Sequence, residues 1–238
     1  MPSIHLSKRL QTVLQFVPKG RVLADIGSDH AHLPCRAVLD HKVPLAIAGE
    51  VRRGPYLQAA ANVRVFELAE EIDVRLGDGL DVIENGEADV VVISGMGGEL
   101  IAEILERGKE KLTDDTTLIL QPNIRESLCR SWLIDNGWRI ENEAIVEEAP
   151  HFYEIIRAVK DKSGRKTLLS ESEIMMGPIL LHEKTGIFKK KWQRRETKLL
   201  EILQALKQTS DTRDILKKRL ASRRQLQVIR QALYGMNE

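Results

Sequence analysis

The stretch Val22-Leu23-Ala24-Asp25-Ile26-Gly27-Ser28-Asp29-His30-Ala31 constrains this chain most. An apolar run of strand type ends on an acidic residue. A turn with Gly27, Ser28 and Asp29 follows, and then a helical pattern begins. That order sets the turn at the carboxyl edge of a sheet, where open α/β sheets hold nucleotide-like ligands. Gly27 can take a positive φ and puts no Cβ between backbone and ligand. Asp25 can fix the turn or accept from a ligand ammonium group. A dinucleotide site would require G-x-G-x-x-G here, with its pyrophosphate on the helix N-terminus. Only Gly27 is present. Asp29 stands in the place of the second glycine, where its charge would repel a diphosphate. A cofactor with a positive centre and no phosphate suits the turn, and S-adenosylmethionine is such a molecule.

The rest of the first two-thirds repeats the strand–helix theme. Leu6, Leu10, Val13, Leu14 and Val17 recur at helical spacing, with Ser3 or Ser7 as cap and Pro18-Lys19-Gly20 as the stop. Lys8 or Arg9, at the entry of this helix, could donate to a cofactor carboxylate. Strands are expected at 21–26, 45–50, 73–76, 89–93 and 117–120, with helices at 33–39, 54–68 and 100–112 and a helix ending at 131–136. Glu50 ends the second strand, at about the spacing where such folds place a carboxylate for ribose hydroxyls. Asp78, in the turn Gly77-Asp78-Gly79-Leu80, could accept from an adenine amine. Val90 to Ile93 is apolar throughout, as in a strand buried on both faces of a parallel sheet. After it come Ser94-Gly95-Met96-Gly97-Gly98, a loop that lets something flat approach the backbone, and Gln121-Pro122-Asn123, a Pro-stiffened loop with two amides. Segments 139–147 and 153–159 are expected to form a final antiparallel pair. The sum is an α/β doubly wound sheet closed by one reversed strand.

Polar residues 161–166 mark a boundary between a domain at 1–162 and one at 163–238, and the second is almost free of strand patterns. Phe188, Trp192, Leu199, Leu203 and Leu206 share a narrow helical arc, assigned to packing, with Lys190, Arg194 and Lys198 opposite. Thr209 to Thr212 break the helix and supply a new cap. Ile215, Leu226, Ile229 and Leu233 line the next helix, giving an antiparallel hairpin. From Lys189 to Arg230 there are fourteen Lys or Arg against four Asp or Glu, a surplus of ten. The net charge of the whole chain is +1, so the remainder carries −9. A basic tail on an acidic body points to a polyanion, nucleic acid above all. No apolar run approaches the roughly 20 residues of a membrane span, and the N-terminus has no secretory h-region. Cys35 and Cys129 have no metal-ligand spacing and read as reduced thiols of a cytosolic protein.

Taken in order, Leu6-Ser7-Lys8-Arg9-Leu10, Asp25-Ile26-Gly27-Ser28-Asp29-His30-Ala31-His32-Leu33-Pro34, Glu50, Gly77 to Leu80, Ser94 to Gly98, Gln121 to Asn123 and Gly177-Pro178 resemble one family over nearly the whole chain. It is the bacterial tRNA (adenine-N1)-methyltransferases that modify position 22. The resemblance implies a class I, Rossmann-like methyltransferase domain that uses S-adenosylmethionine, with an appended C-terminal helical, coiled-coil-like domain for tRNA. It implies that Asp25, Gly27, Ser28, Asp29 and His30 hold the methionine part and Arg9 its carboxylate. Glu50 would hold the ribose, and Asp78 with Gly79 the adenine. Ser94, Gly95, Met96 and Gly97 would lie below the methyl and the target base.

Adenine N1 carries an in-plane lone pair, so attack needs no prior base, and positioning supplies most of the acceleration. The product ring is cationic, and an acceptor near N6 stabilises it. Candidates are Asp29, Asn123 and the carbonyls of Ser94 to Met96. Asp29, Ser94 and Asn123 form the expected catalytic set. Lys190, Arg194, Lys198, Arg213, Lys217 and Arg224 are the expected tRNA contacts. The expected setting is a cytoplasmic monomer with no metal and no membrane partner. Two rivals stay open: a methyltransferase for a small molecule or another macromolecule, and a catalytically silent RNA-binding relative.

Overall fold

The computed structural model describes residues 4–163, 167–208, 210 and 212–235. Ser3, the 164–166 end of the expected boundary, and Thr209 and Asp211 of the expected helix break lie outside the described residues. The chain divides into two compact units, Met1–Leu168 and Leu169–Glu238.

In the first unit, α1 (Lys8–Phe16) leads into β1 (Leu23–Ile26), α2 (His32–Leu39), β2 (Ala46–Glu50), α3 (Arg53–Val65) and β3 (Ile72–Leu76). There follow β4 (Val90–Gly97), α4 (Gly98–Arg107), β5 (Thr117–Ile124), α5 (Glu126–Asp135), β6 (Trp138–Glu148) and β7 (His151–Lys160). The seven strands lie in the order β3-β2-β1-β4-β5-β7-β6. β7 runs antiparallel to β5 and to β6, so it is the one reversed strand. Ser7 caps α1, its side chain accepting from Leu10 N.

β1 lies between β2 and β4, with Asp25 opposite Ala48 on one side and Val92 on the other. Val90, Val91, Val92 and Ile93 are fully buried because helices cover both faces. One core holds α1, α2 and α3 residues such as Val13, Leu33 and Ala59; the other holds α4 and α5 residues such as Ile101, Leu105 and Leu133. Each buried Val, Leu or Ile side chain among them gains about 1.5–3 kcal/mol by burial.

Several expected boundaries move. Ser94 to Gly97 and Gln121 to Ile124 are continuations of β4 and β5, not free loops. The two weak strand formers pair with each other, with register shifts at Met96 and Gly97. The expected 100–112 helix starts at Gly98 and stops at Arg107, where Gly108 follows, and Lys109–Lys111 is a separate 3-10 turn. Gly79–Val82 is also 3-10. α5 begins at Glu126, after left-handed Arg125, and ends at Asp135 with Asn136 as its cap, within the helix end read at 131–136.

A charge cluster sits inside this unit. Arg130 of α5, Glu143 of β6 and Glu154 of β7 are all buried, and Arg130 reaches Glu143 at 2.7 Å and Glu154 at 2.5 Å. Burial pulls the Arg130 pKa down, but the two carboxylates outweigh it and hold the group above its ordinary range.

The second unit is helical: α6 (Glu171–Met176), α7 (Pro178–Glu183), α8 (Gly186–Lys207) and α9 (Arg213–Tyr234). Ser170 and Glu173 form a capping box on α6. Gly177, at φ +87°, turns the chain into α7, where Pro178 occupies the first position. Thr185 and Thr212 cap α8 and α9. The two long helices run antiparallel: Arg219 donates to Leu206 O, Arg195 to Gln225 and Arg230 to Glu196. Phe188, Trp192, Leu199, Leu226, Val228 and Ile229 are buried, while Leu216 and Leu220 stay exposed.

Candidate active site

Gly27 and Ser28 both donate their N–H groups to Gly49 O, at 2.9 and 3.1 Å, which fastens the turn after β1 to the end of β2. Gly27 has φ +73°, and a Cβ there would lie 2.2 Å from Met96 Cε. Asp29, His30 and Ala31 follow at φ 37°, 68° and 57°. Three successive left-handed residues with side chains are costly, on the order of 1 kcal/mol each, and persist only where neighbours enforce them. Glu50 Oε1 accepts from Asp29 N at 2.7 Å, and Asn62 Nδ2 donates to His30 O at 2.9 Å. The His30 and His32 rings stack at 5.6 Å. The Asp29 side chain is 87% exposed and sits 3.3 Å from His30 Nε2.

Asp25 is buried. Its Oδ2 accepts from the Ser28 hydroxyl at 2.7 Å, while Oδ1 has no partner among the described residues. Burial pushes the Asp25 carboxyl up to about 7; the Ser28 hydrogen bond pulls against this and nearby Glu50 adds to it. An orphaned buried carboxylate oxygen is expensive unless a ligand meets it. Buried Glu50 uses one oxygen on the Asp29 backbone. These groups fit a cofactor that carries an ammonium group and a diol.

On the other side of β1 the continued ends of β4 and β5 converge on Gln121. The Arg9 guanidinium donates to Gln121 Oε1, as does Gly95 N at 3.0 Å. Gln121 Nε2 donates to Pro122 O at 2.9 Å and to Asn123 Oδ1 at 3.2 Å. Asn123 Nδ2 in turn donates to Gly95 O at 2.7 Å. Gly95, at φ +78°, and Asn123 are exposed; Ser94, opposite Gln121 in the ladder, and Met96 are half-buried. Arg9 stacks on Tyr153 at 5.5 Å, and its backbone N–H donates to Glu148 at 2.6 Å.

Asp78 does not stand open. Both its oxygens take the Arg107 guanidinium, at 2.7 and 3.3 Å, and that pair holds the carboxyl below its usual range. Gly79 follows at φ +58°. In the helical unit Lys190, Arg194, Lys198, Arg213 and Lys217 are exposed, whereas exposed Arg224 is engaged by Glu171 at 2.5 Å. Among the described residues, no group of three or more His, Cys, Asp or Glu could hold a metal ion.

The sequence model of the family described as tRNA (adenine(22)-N(1))-methyltransferase, TrmK, matches residues 23–231. The chain belongs to that family. A tRNA (adenine(22)-N(1))-methyltransferase of Bacillus subtilis is 47% identical over 214 residues, covering 89% of this chain and 90% of its own. A Streptococcus pneumoniae structure in complex with S-adenosyl-L-methionine superposes with TM-score 0.87 at 41% identity, covering 97% of this chain and 100% of its own. M. capricolum TrmK, solved with S-adenosyl-homocysteine, gives 0.83 at 29%, covering 95% and 96%. The fold of this chain is thus that of a Rossmann-like methyltransferase with C-terminal helices.

Sequence reasoning placed Asp25, Gly27, Ser28, Asp29, His30 and Glu50 around one turn, and the structure brings them together there. It passed over Gln121 as a site residue, and it did not single out Asn62, Glu148 or Tyr153. Gln121 left a faint signal, an amide beside Pro122 at a strand end. The other three gave none, because their roles depend on partners 32 to 144 residues away.

Proposed function

We propose that this chain methylates N1 of adenosine 22 in tRNA, with S-adenosylmethionine as the donor. The observation that carries the reading is the Oδ1 of buried Asp25, without a partner among the described residues, beside Glu50 and under a forced left-handed turn, in a chain matched by the TrmK model over 23–231. When bound, S-adenosylmethionine supplies an electrophilic sulfonium methyl. Asp25 accepts from its ammonium group. Arg9, fixed by Gln121 and Tyr153, holds its carboxylate, and Gly27, Ser28, Asp29 and His30 shape the pocket. Glu50 meets the ribose hydroxyls with its second oxygen. Asp78 and Gly79 take the adenine, Asp78 using lone pairs that Arg107 leaves open.

Adenine N1 needs no deprotonation before attack. Asn123, with Ser94, Gly95 and Met96, forms the seat of the target base, and Asn123 Oδ1 accepts from N6 as positive charge builds. The exposed Asp29 carboxylate adds to the negative field there. N1 lies on the pairing edge, so the base must be unpaired or extruded, which costs a few kcal/mol. Lys190, Arg194, Lys198, Arg213, Lys217 and Arg224 contact phosphates and help offset that cost. Free, buried Cys35 and Cys129 support a reducing, cytoplasmic setting.

The test is to incubate the protein with unmodified tRNA and methyl-labelled cofactor and map the product. One 1-methyladenosine at position 22 is expected. Label that stays off tRNA, or that lands on another atom, overturns the reading.

A further inference from the structure

The side chain of Gln121 is completely buried, and each of its hydrogen-bonding capacities is used. Oε1 receives two donors, the Arg9 guanidinium and Gly95 N. Nε2 gives both protons, to Pro122 O and Asn123 Oδ1. The opposite amide orientation would set Nε2 against two N–H donors and Oε1 against two carbonyl oxygens. Only one orientation is therefore compatible with its surroundings.

That fixes the exposed amide of Asn123 as well. Because Gln121 donates to it, the Asn123 oxygen faces Gln121, and its nitrogen is left to donate to Gly95 O at 2.7 Å. Gly95 closes the ring, since its N–H returns to Gln121 Oε1. The ring joins three segments distant in sequence: Arg9 at the entry of α1, Gly95 on β4, and Gln121 with Asn123 on β5.

We propose that Gln121 is a positioning residue, which sets the amide orientation of Asn123 and ties it to Arg9, so that the carboxylate end of the cofactor pocket and the base seat share one hydrogen-bonded frame. The proposal rests on the tRNA methyltransferase reading above. A base with an exocyclic amine meets a carbonyl of fixed direction, and one with an exocyclic carbonyl does not. Gln121 acts through Asn123 and touches neither substrate.

The experiment uses the full chain. Gln121→Glu keeps the acceptor for Arg9 and Gly95 and loses both donations; Gln121→Met loses all four bonds at similar volume. Each is made alone and with Asn123→Ala, and S-adenosylhomocysteine binding is measured by calorimetry on the same preparations. Gln121→Glu is expected to lower kcat on tRNA by about 10- to 100-fold, the scale of one or two lost buried hydrogen bonds, with S-adenosylhomocysteine affinity within about threefold of the parent. In the Asn123→Ala background the same change is expected to cost under about threefold, because its target is gone. Losses that simply multiply in the double variant overturn the proposal. So does full activity of both single variants, and so does loss of S-adenosylhomocysteine binding by Gln121→Glu. If Gln121→Glu does not fold, Gln121→Met is compared instead at saturating S-adenosylmethionine, where weaker cofactor binding through the lost Arg9 bond does not enter kcat. Parent protein that leaves tRNA adenosine unmethylated sinks the functional reading instead, an outcome distinct from multiplicative losses in an active parent.

Discussion

The backbone N–H of Asp29 donates to Glu50 Oε1 at 2.7 Å, which ties the first residue of a left-handed run to the end of the neighbouring strand. Glu50 therefore shapes the turn with one oxygen, and the proposed function gives the other to the ribose hydroxyls. The two tasks separate by substitution. Glu50→Gln keeps a carbonyl for Asp29 but loses the charge, and is expected to weaken S-adenosylmethionine binding by about 10- to 100-fold. Glu50→Ala also frees the turn and is expected to do worse. Calorimetry checks both, and equal affinities for parent and Glu50→Ala would remove Glu50 from the site.

Asp25 gives a pH dependence with a definite sign. Its carboxyl is raised from 3.8 to about 7 by burial, so the folded state holds the proton more tightly than the unfolded chain. The stability it contributes is fully present below about pH 4 and is lost as pH rises through about 7. Asp25→Asn stays neutral, so its melting temperature relative to the parent should climb across that window and level off above it. A ligand ammonium group favours the ionised carboxylate, so cofactor binding slightly below pH 7 should release a proton. Calorimetry in buffers of different ionisation enthalpy reads that proton; an apparent enthalpy independent of buffer counts against the contact.

Two glycines around the site should respond differently to alanine. At Gly27 the added Cβ meets Met96 Cε at 2.2 Å, the end of a flexible side chain, although the φ of +73° remains a penalty of about 1 kcal/mol. At Gly98 it meets the Arg125 carbonyl oxygen at 2.2 Å, which is backbone and cannot swing away. Urea unfolding is expected to show the larger stability loss for Gly98→Ala, and cofactor titration the larger affinity loss for Gly27→Ala.

The buried Arg130–Glu143–Glu154 cluster predicts non-additivity. Arg130→Met leaves two carboxylates inside the protein without their cation and should destabilise it by about 3–5 kcal/mol. Replacing both glutamates by Gln in the same variant should recover much of that loss. Denaturant titration of the single and triple variants decides it; a triple variant no more stable than the single would mean that packing, not charge, sets the cost.

Replacing Lys190, Arg194 and Lys198 by Ala should weaken tRNA binding and leave cofactor affinity unchanged. If all three contact phosphates, the log–log salt slope should shrink by about two to three. An unchanged slope would place the contacts elsewhere on the chain.

Much of the fold could be read along the chain. The apolar runs within 21–26, 45–50 and 89–93 mark strands, and residues 23–26, 46–50 and 90–93 are buried, whereas Leu45 at the start of the second run is exposed. The last two strands were legible as an antiparallel pair because they follow one another without a helix between, but that β7 inserts beside β5 was decided by the tertiary structure. The tail arc from Phe188 to Leu206 was legible as packing from its 3.6-residue period. Ser94 to Gly97 and Gln121 to Asn123 were misread as loops. Glycine, proline and amides have weak strand propensity, and only their mutual pairing makes them strand.

The amino-acid sequence by itself determined which residues end the strands and turn the chain: Asp25, Gly27 and Glu50 stand where they do because periodicity and backbone freedom are local properties. Tertiary structure alone decided which of their neighbours cooperate. It set Arg107 on Asp78, Glu148 and Tyr153 around Arg9, and Gln121 between Arg9, Gly95 and Asn123. Those pairings join segments 26 to 144 residues apart, apart from Gln121 and Asn123 on one strand. Whether two polar groups meet across such a distance depends on sheet order and register, and no local pattern in the chain encodes either.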